Sequence, residues 1–224
     1  MSTKIKKTKA SDMFFLAALT FILLLAEPML NTLFNVSGFS KTILTRAICI
    51  VIWAFGSKGL LVAAKKECNF EIFKKEKTLT TLQWIILSIV STAVLGYFVW
   101  NKFSVLKIIA NNISAPKVIV AYISMFLLNT AKAFVITIFI AFIQKGLTVS
   151  FKKAKFLPLG GIVLGLLWCG MFLLASAGLS LNWISLVFQL AYGLILGVLF
   201  VLADNKSRYA FPFVLVTTLF IFLY

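Results

Sequence analysis

Seven apolar stretches follow one another along this chain with short polar breaks between them, at about 13–34, 43–64, 82–100, 118–144, 158–178, 184–203 and 210–224. None alternates with the two-residue period of a half-buried strand, and all are longer than the four to eight residues of a buried one. Most are long enough for a helix rising about 1.5 Å per residue to cross hydrocarbon. Their hydrophobicity runs all round the helix, as expected of a span surrounded by lipid or by other spans. The last stretch stops after 15 residues, short for a full crossing, so it is tilted, short or cut off. The expected fold class is all-α: a polytopic transmembrane helical bundle of about seven spans. With no repeat, low-complexity tract or soluble segment, residues 1–224 form a single membrane domain, divided into spans one to three (1–117) and spans four to seven (118–224).

Punctuation supports these boundaries. Phe156-Leu157-Pro158 marks a helix start, because proline is tolerated in a first turn. Pro28 falls inside the first stretch and predicts a kink beside Glu27. Lys4, Lys6, Lys7 and Lys9 precede the apolar run Phe14 to Ala26 and mimic a secretory signal. No small-x-small cleavage site follows, and the apolar run resumes after Pro28, so an uncleaved first span is expected.

Composition changes the solvent and leaves the elements as they are. The chain is 62% hydrophobic and 12% charged, whereas soluble domains run at about half and a quarter. A net charge of +16 would suggest nucleic acid in a soluble protein. Its distribution argues otherwise. Four basic residues precede span one, five lie between spans two and three (Lys65, Lys66, Lys74, Lys75, Lys77), four between spans four and five (Lys145, Lys152, Lys153, Lys155), and two before span seven (Lys206, Arg208). The opposite segments carry only Lys41, Lys102, Lys107 and Lys117. The positive-inside rule therefore assigns the N-terminus to the cytoplasm. Adhesion of this face to anionic lipid headgroups follows as a secondary consequence, and no nucleic-acid partner is needed. Trp84 and Trp100 bracket span three as an interfacial belt does. Asn101 to Lys117 reads either as an amphipathic surface helix or as a loop. Cys49, Cys68 and Cys169 have neither disulfide-framework nor metal-ligand spacing.

Ionisable residues in hydrocarbon are costly and mark candidate sites. Glu27 is the only acid well inside a span, and Lys132 sits near the middle of span four with Asn129 one turn earlier on its face. Counted from the inner span ends, Glu27 lies at a depth of about 21 Å and Lys132 at about 18 Å. Their matched depths make an ion pair possible, and Arg46 on the neighbouring span offers Glu27 a second partner. The group reads as a structural pair, as the lining of a binding cavity, or as an ion relay. Lys58 lies near the inner boundary and snorkels. Gly161-x-x-x-Gly165 and Gly193-x-x-x-Gly197 permit close helix approach, within the chain or toward a partner.

Missing residues exclude familiar chemistry. With no histidine anywhere and one embedded acid, neither a membrane zinc site nor a Ser–His pair can be assembled. Asp12 and Asp204, the only aspartates, lie near the surface and cannot form an intramembrane pair. No P-loop is present. Catalytic residues, a metal and a cofactor are not expected.

The second half, about 90 residues from the fourth to the seventh span, resembles the CPBP family (CAAX protease and bacteriocin-processing, or Abi). Its members read EExxFRGFLQ, then FxxxH, then a glycine-bearing span, then a proline followed by HxxxN. Val135 to Gln144 overlays the first motif, with Val135 and Ile136 at the glutamate positions and Ile140 at the arginine. Gly165 to Met171 is similar to the second, with Met171 in place of histidine. Gly193 to Leu199 resembles the glycine-bearing span, and Ser207 to Pro212 the approach to the last motif, where Val216 and Phe220 replace histidine and asparagine. The resemblance implies a helical fold with a cavity toward the cytoplasm, here lined by Val, Ile, Met and Phe and able to bury an apolar helix. It implies a catalytically degenerate pseudoprotease in a bacterial cell membrane: a multi-pass scaffold or regulator of another integral membrane protein, such as a cell-envelope enzyme or sensor kinase. Bacteriocin self-immunity is a second expectation. A small transporter, or its substrate-binding component, with Glu27, Asn129 and Lys132 lining a solute pocket, is a third.

Overall fold

The computed structural model describes residues 8–34, 38–74, 78–93, 96, 115–175 and 183–221. In order these form α1 (Ala10–Leu24), α2 (Ala26–Leu33), α3 (Phe39–Cys68), α4 (Thr81–Ala93), α5 (Ala115–Ser150), a 3-10 turn (Lys152–Phe156), α6 (Leu159–Ala175), α7 (Trp183–Leu202) and α8 (Ser207–Ile221). Among the described residues there is no strand, and the chain is an all-helical bundle. Each of the seven apolar stretches contains helix. Four helical segments are long and apolar enough to cross a membrane: Ala10–Leu33, Phe39–Cys68, Pro116–Ser150 and Trp183–Leu202. Thr81–Ala93 and Leu159–Leu174 are apolar but shorter, and the 15 residues of α8 extend only about 22 Å. Of the interfacial features expected around span three, Trp100 and residues 101–114 lie outside the described residues.

The first stretch is broken where Pro28 dictates. Proline removes one N–H and its ring crowds the carbonyl four residues earlier, which is that of Leu24, the last residue of α1. Leu25 forms the joint, and α2 resumes at Ala26. Backbone N–H groups at the joint return to the Phe21, Ile22 and Leu23 carbonyls, and Trp53 Nε1 from α3 adds a second hydrogen bond to the Leu23 oxygen at 2.7 Å. At the far end of α3, Asn69 takes a left-handed φ of 50°, the Phe70 N–H returns to the Ala64 carbonyl, and Thr8 Oγ1 donates to the Cys68 carbonyl at 2.8 Å. Helix α4 starts on a reciprocal cap: Gln83 N–H donates to Thr80 Oγ1, and the Thr80 N–H donates to Gln83 Oε1. Trp84 then packs against Tyr209 and Phe213 of α8.

Helix α5 is the axis of the bundle. Its 36 residues span about 54 Å, well beyond the roughly 30 Å of a hydrocarbon core. Val135 through Gln144 is buried without interruption, wrapped by α1, α3, α6 and α8, all of which pack on α5. Phe139 contacts Phe21 of α1, and Phe134 contacts Phe73 and Phe211. The other end of α5 is bare: Ile119, Val120, Tyr122, Ile123, Phe126 and Leu127 are all exposed.

Candidate functional site

The kink at Leu25 turns Glu27, in the first turn of α2, toward α5. Lys132 Nζ lies 2.6 Å from Glu27 Oε2, with the two side chains 12% and 22% exposed. In hydrocarbon neither side chain can rely on water, so each is the other's main polar partner in the described geometry. Arg46 does not take Glu27 as its hydrogen-bond partner. Its Nη1 reaches about two to three turns further out on α5 than Lys132, donating to Ser124 Oγ at 3.0 Å and to the Ala121 carbonyl at 3.3 Å. Asn129, one turn from Lys132, is buried. Helices α2, α3 and α5 are thus joined by polar contacts along one edge of the bundle, where the bare outer half of α5 begins.

The four glycines lie on a single seam between α6 and α7. A Cβ on Gly161 would collide with the Gly193 carbonyl and the Gly197 amide, and one on Gly193 would lie 2.6 Å from the Gly161 carbonyl and the Gly165 Cα. Gly197 is pressed against the Pro158 carbonyl, and Gly165 faces Gln189 and Leu190. Of the two alternatives, contact within the chain and contact with a partner, the packing matches the first. These faces are consumed within the chain, because two helices this close leave no room for any side chain between them.

The expectation of a cavity at the family motif positions is corrected. Val135, Ile136 and Ile140 are fully buried. Ile140 is sealed by the first turn of α6: a Cβ on Gly160 would lie 2.8 Å from its carbonyl and 3.0 Å from its Cγ2. Met171 on α6 and Val216 on α8 are half-buried; the Phe220 side chain lies outside the described ones. An apolar-lined cavity able to admit a helix is not present at the α5 positions. Aliphatic side chains with no ligand to hydrate pack to interior density and leave no void. Among the described residues no group of three or more His, Cys, Asp or Glu side chains converges.

Gln144, the last residue of the overlaid first motif, is a polar anchor whose partners the sequence does not reveal. Its Nε2 donates to the Ala154 and Leu157 carbonyls at 2.7 and 2.9 Å, and its Oε1 accepts from the Gly160 N–H at 3.1 Å. Every hydrogen-bonding atom of the buried amide group is matched, and the α5–α6 connection is folded around it. Beside it opens a cavity of about 340 Å³ lined by Phe70, Ala141, Lys145, Thr148, Lys155, Phe200, Asp204 and Asn205. Asp204 and Asn205 both have left-handed φ, 55° and 58°, a local clue to a special turn. Asp204 accepts from Lys206 at 2.9 Å and lies 3.5 Å from Lys155. The Lys206 hydrogen bond, outweighing partial burial, holds its carboxyl below the ordinary aspartate range. A second, apolar cavity of about 350 Å³ lies between α3, α5 and α8, lined by Trp53, Ala54, Leu127, Thr130, Ala131, Phe134 and Phe211.

No protein-family model, no curated protein and no solved structure matches this chain.

Proposed function

We propose that this chain is a non-catalytic, CPBP-like protein of a bacterial cell membrane that scaffolds or regulates another integral membrane protein by gripping one of its transmembrane helices. The observation that carries this reading is the polar edge joining α2, α3 and α5. Apolar exposure alone would not argue for a partner, since lipid covers apolar faces as well as protein does. The Glu27–Lys132 pair is different, because it keeps part of its surface uncovered in a medium that cannot hydrate it. A helix gripping this edge would cover the pair, while Ile119, Ile123 and Phe126, roughly 150° around α5 from Lys132, offer the partner a separate apolar face. A polar side chain on that helix would add a hydrogen bond. The contact surface proposed is this outer edge, and neither the glycine seam nor the filled motif positions take part.

The same pair favours a second reading, a small transporter with Glu27, Asn129 and Lys132 beside its solute path. The two readings separate on Glu27→Gln and on purification in mild detergent. For a scaffold, wild type retains a stoichiometric membrane protein and Glu27→Gln loses it, with no solute uptake in either case. Uptake by reconstituted wild-type vesicles that Glu27→Gln abolishes selects the transporter. A chain that purifies alone and monodisperse, with no uptake, contradicts both.

A further inference from the structure

The cavity at the inner ends of α3, α5 and α7 has a chemistry that the polar edge does not share. One wall is apolar: Phe70, Ala141 and Phe200, with Phe70 braced against Phe142 at a centroid distance of 6.3 Å. The opposing groups are cationic. Lys145 Nζ stands 5.5 Å from the centre of the Phe70 ring, and Lys155 enters from the 3-10 turn. The Asn205 Nδ2 pins the Lys155 backbone by donating to its carbonyl at 3.0 Å. Asp204 does not neutralise the cavity, because it is shared between Lys155 and Lys206. Counting Lys145, Lys155 and Lys206 against Asp204 leaves two positive charges. That exceeds the partial negative charge, about half a unit each and so about one and a half in all, that the C-terminal ends of α3, α5 and α7 place nearby. A volume of about 340 Å³ falls at the lower end of small-molecule sites, about 300 to 1,000 Å³. The cavity also lies where the lysine count puts the cytoplasmic interface, the depth of a lipid headgroup.

We propose that this cavity binds a phosphate ester, with Lys145 and Lys155 as the phosphate ligands and the Phe70–Phe200 wall taking the carbon backbone attached to it. The shared chemistry is a phosphate next to an apolar stem, which an anionic phospholipid presents from the inner leaflet and a glycerol phosphate presents from solution. Basic pockets between helices on the cytoplasmic side are a recurrent way to hold such headgroups. This differs from diffuse adhesion by a basic face in predicting a saturable site whose affinity depends on Lys145 more than on other lysines of that face. The proposal is independent of the partner-helix reading, since none of the residues involved belongs to the outer edge.

The test uses the full chain, purified in mild detergent and titrated with phosphatidylglycerol, phosphatidylcholine and glycerol phosphate. Thermal stability and native mass spectrometry serve as readouts. Wild type should retain about one phosphatidylglycerol and gain stability with it, and phosphatidylcholine should do neither. Lys145→Gln should weaken retention at least tenfold, and Lys145→Arg should keep it. Lys66→Gln, which removes an equally basic, exposed side chain from the end of α3, should leave it unchanged. Stabilisation by glycerol phosphate equal to that by the lipid would identify a soluble ester as the ligand of the same site. Equal losses in Lys66→Gln and Lys145→Gln, equal binding of phosphatidylcholine, or no ligand effect at all would overturn the proposal.

Discussion

Removing one member of the Glu27–Lys132 pair leaves the other charge stranded in low-dielectric surroundings. Breaking a buried pair costs about 3–5 kcal/mol, whereas replacing both members by apolar groups is often neutral. Lys132→Met is therefore expected to destabilise the protein by about 3 kcal/mol, the lower end, because the pair is not fully enclosed. Glu27→Gln combined with Lys132→Met should recover most of that loss. Thermal melts of the single and double variants in one detergent check this. Asp204 makes a different prediction. Its carboxyl is held below its ordinary value, so its stabilising effect is present at neutral pH and is lost as pH falls through the folded-state value. Wild type and Asp204→Asn should differ in Tm near pH 7, by an amount typical of exposed ion pairs, at most about 1 kcal/mol. The difference should shrink as the pH is taken below the ordinary aspartate range and through the lower folded-state value. At this scale the sequence is legible where depth alone decides. Counting residues along two spans brings Glu27 and Lys132 to one level. It cannot show that the long Arg46 side chain reaches Ser124, because that depends on how α3 is rotated against α5. Nor can it show that Gln144 folds back onto Ala154, Leu157 and Gly160.

Helix by helix, the apolar runs report the part of each helix that lies in lipid, and they are shorter than the helix itself. The fourth run ends at Gln144, yet α5 continues through Lys145 to Ser150, because polar residues at an interface remain good helix formers. Pro28 locates the joint between α1 and α2 through its missing N–H, and it is the one internal break the sequence declares. The glycine patterns are visible in the sequence, but their mates are not. Only packing shows that Gly161 and Gly165 meet Gly193 and Gly197. Gly161→Ala should cost about 1–3 kcal/mol, as overpacking does, and loosen α6 from α7. Gly59 lies in α3 with nothing within 4 Å of where an added methyl would stand. Gly59→Ala should therefore be neutral or stabilise by up to about 1 kcal/mol, the helix-propensity difference. Hydrogen exchange across α6 and α7, with Tm for both variants, separates the two outcomes.

At the scale of the whole molecule the bundle is asymmetric. The stretch of α5 from Val135 to Gln144 is enclosed by the rest of the chain, and its outer half carries apolar side chains that no described helix covers. The family resemblance places function in the motif positions. In this chain those on α5 are filled by aliphatic side chains, and the contact surface proposed above lies at the outer edge instead. Hydropathy could not reveal this, since lipid-facing and partner-facing residues are equally apolar. The most direct measurement is photo-crosslinking in intact cells from Ile123, 55% exposed on the bare half of α5, against Ile184, 81% exposed on α7. A discrete protein adduct at Ile123, absent at Ile184, is the predicted result. Lipid adducts alone at both positions would contradict it.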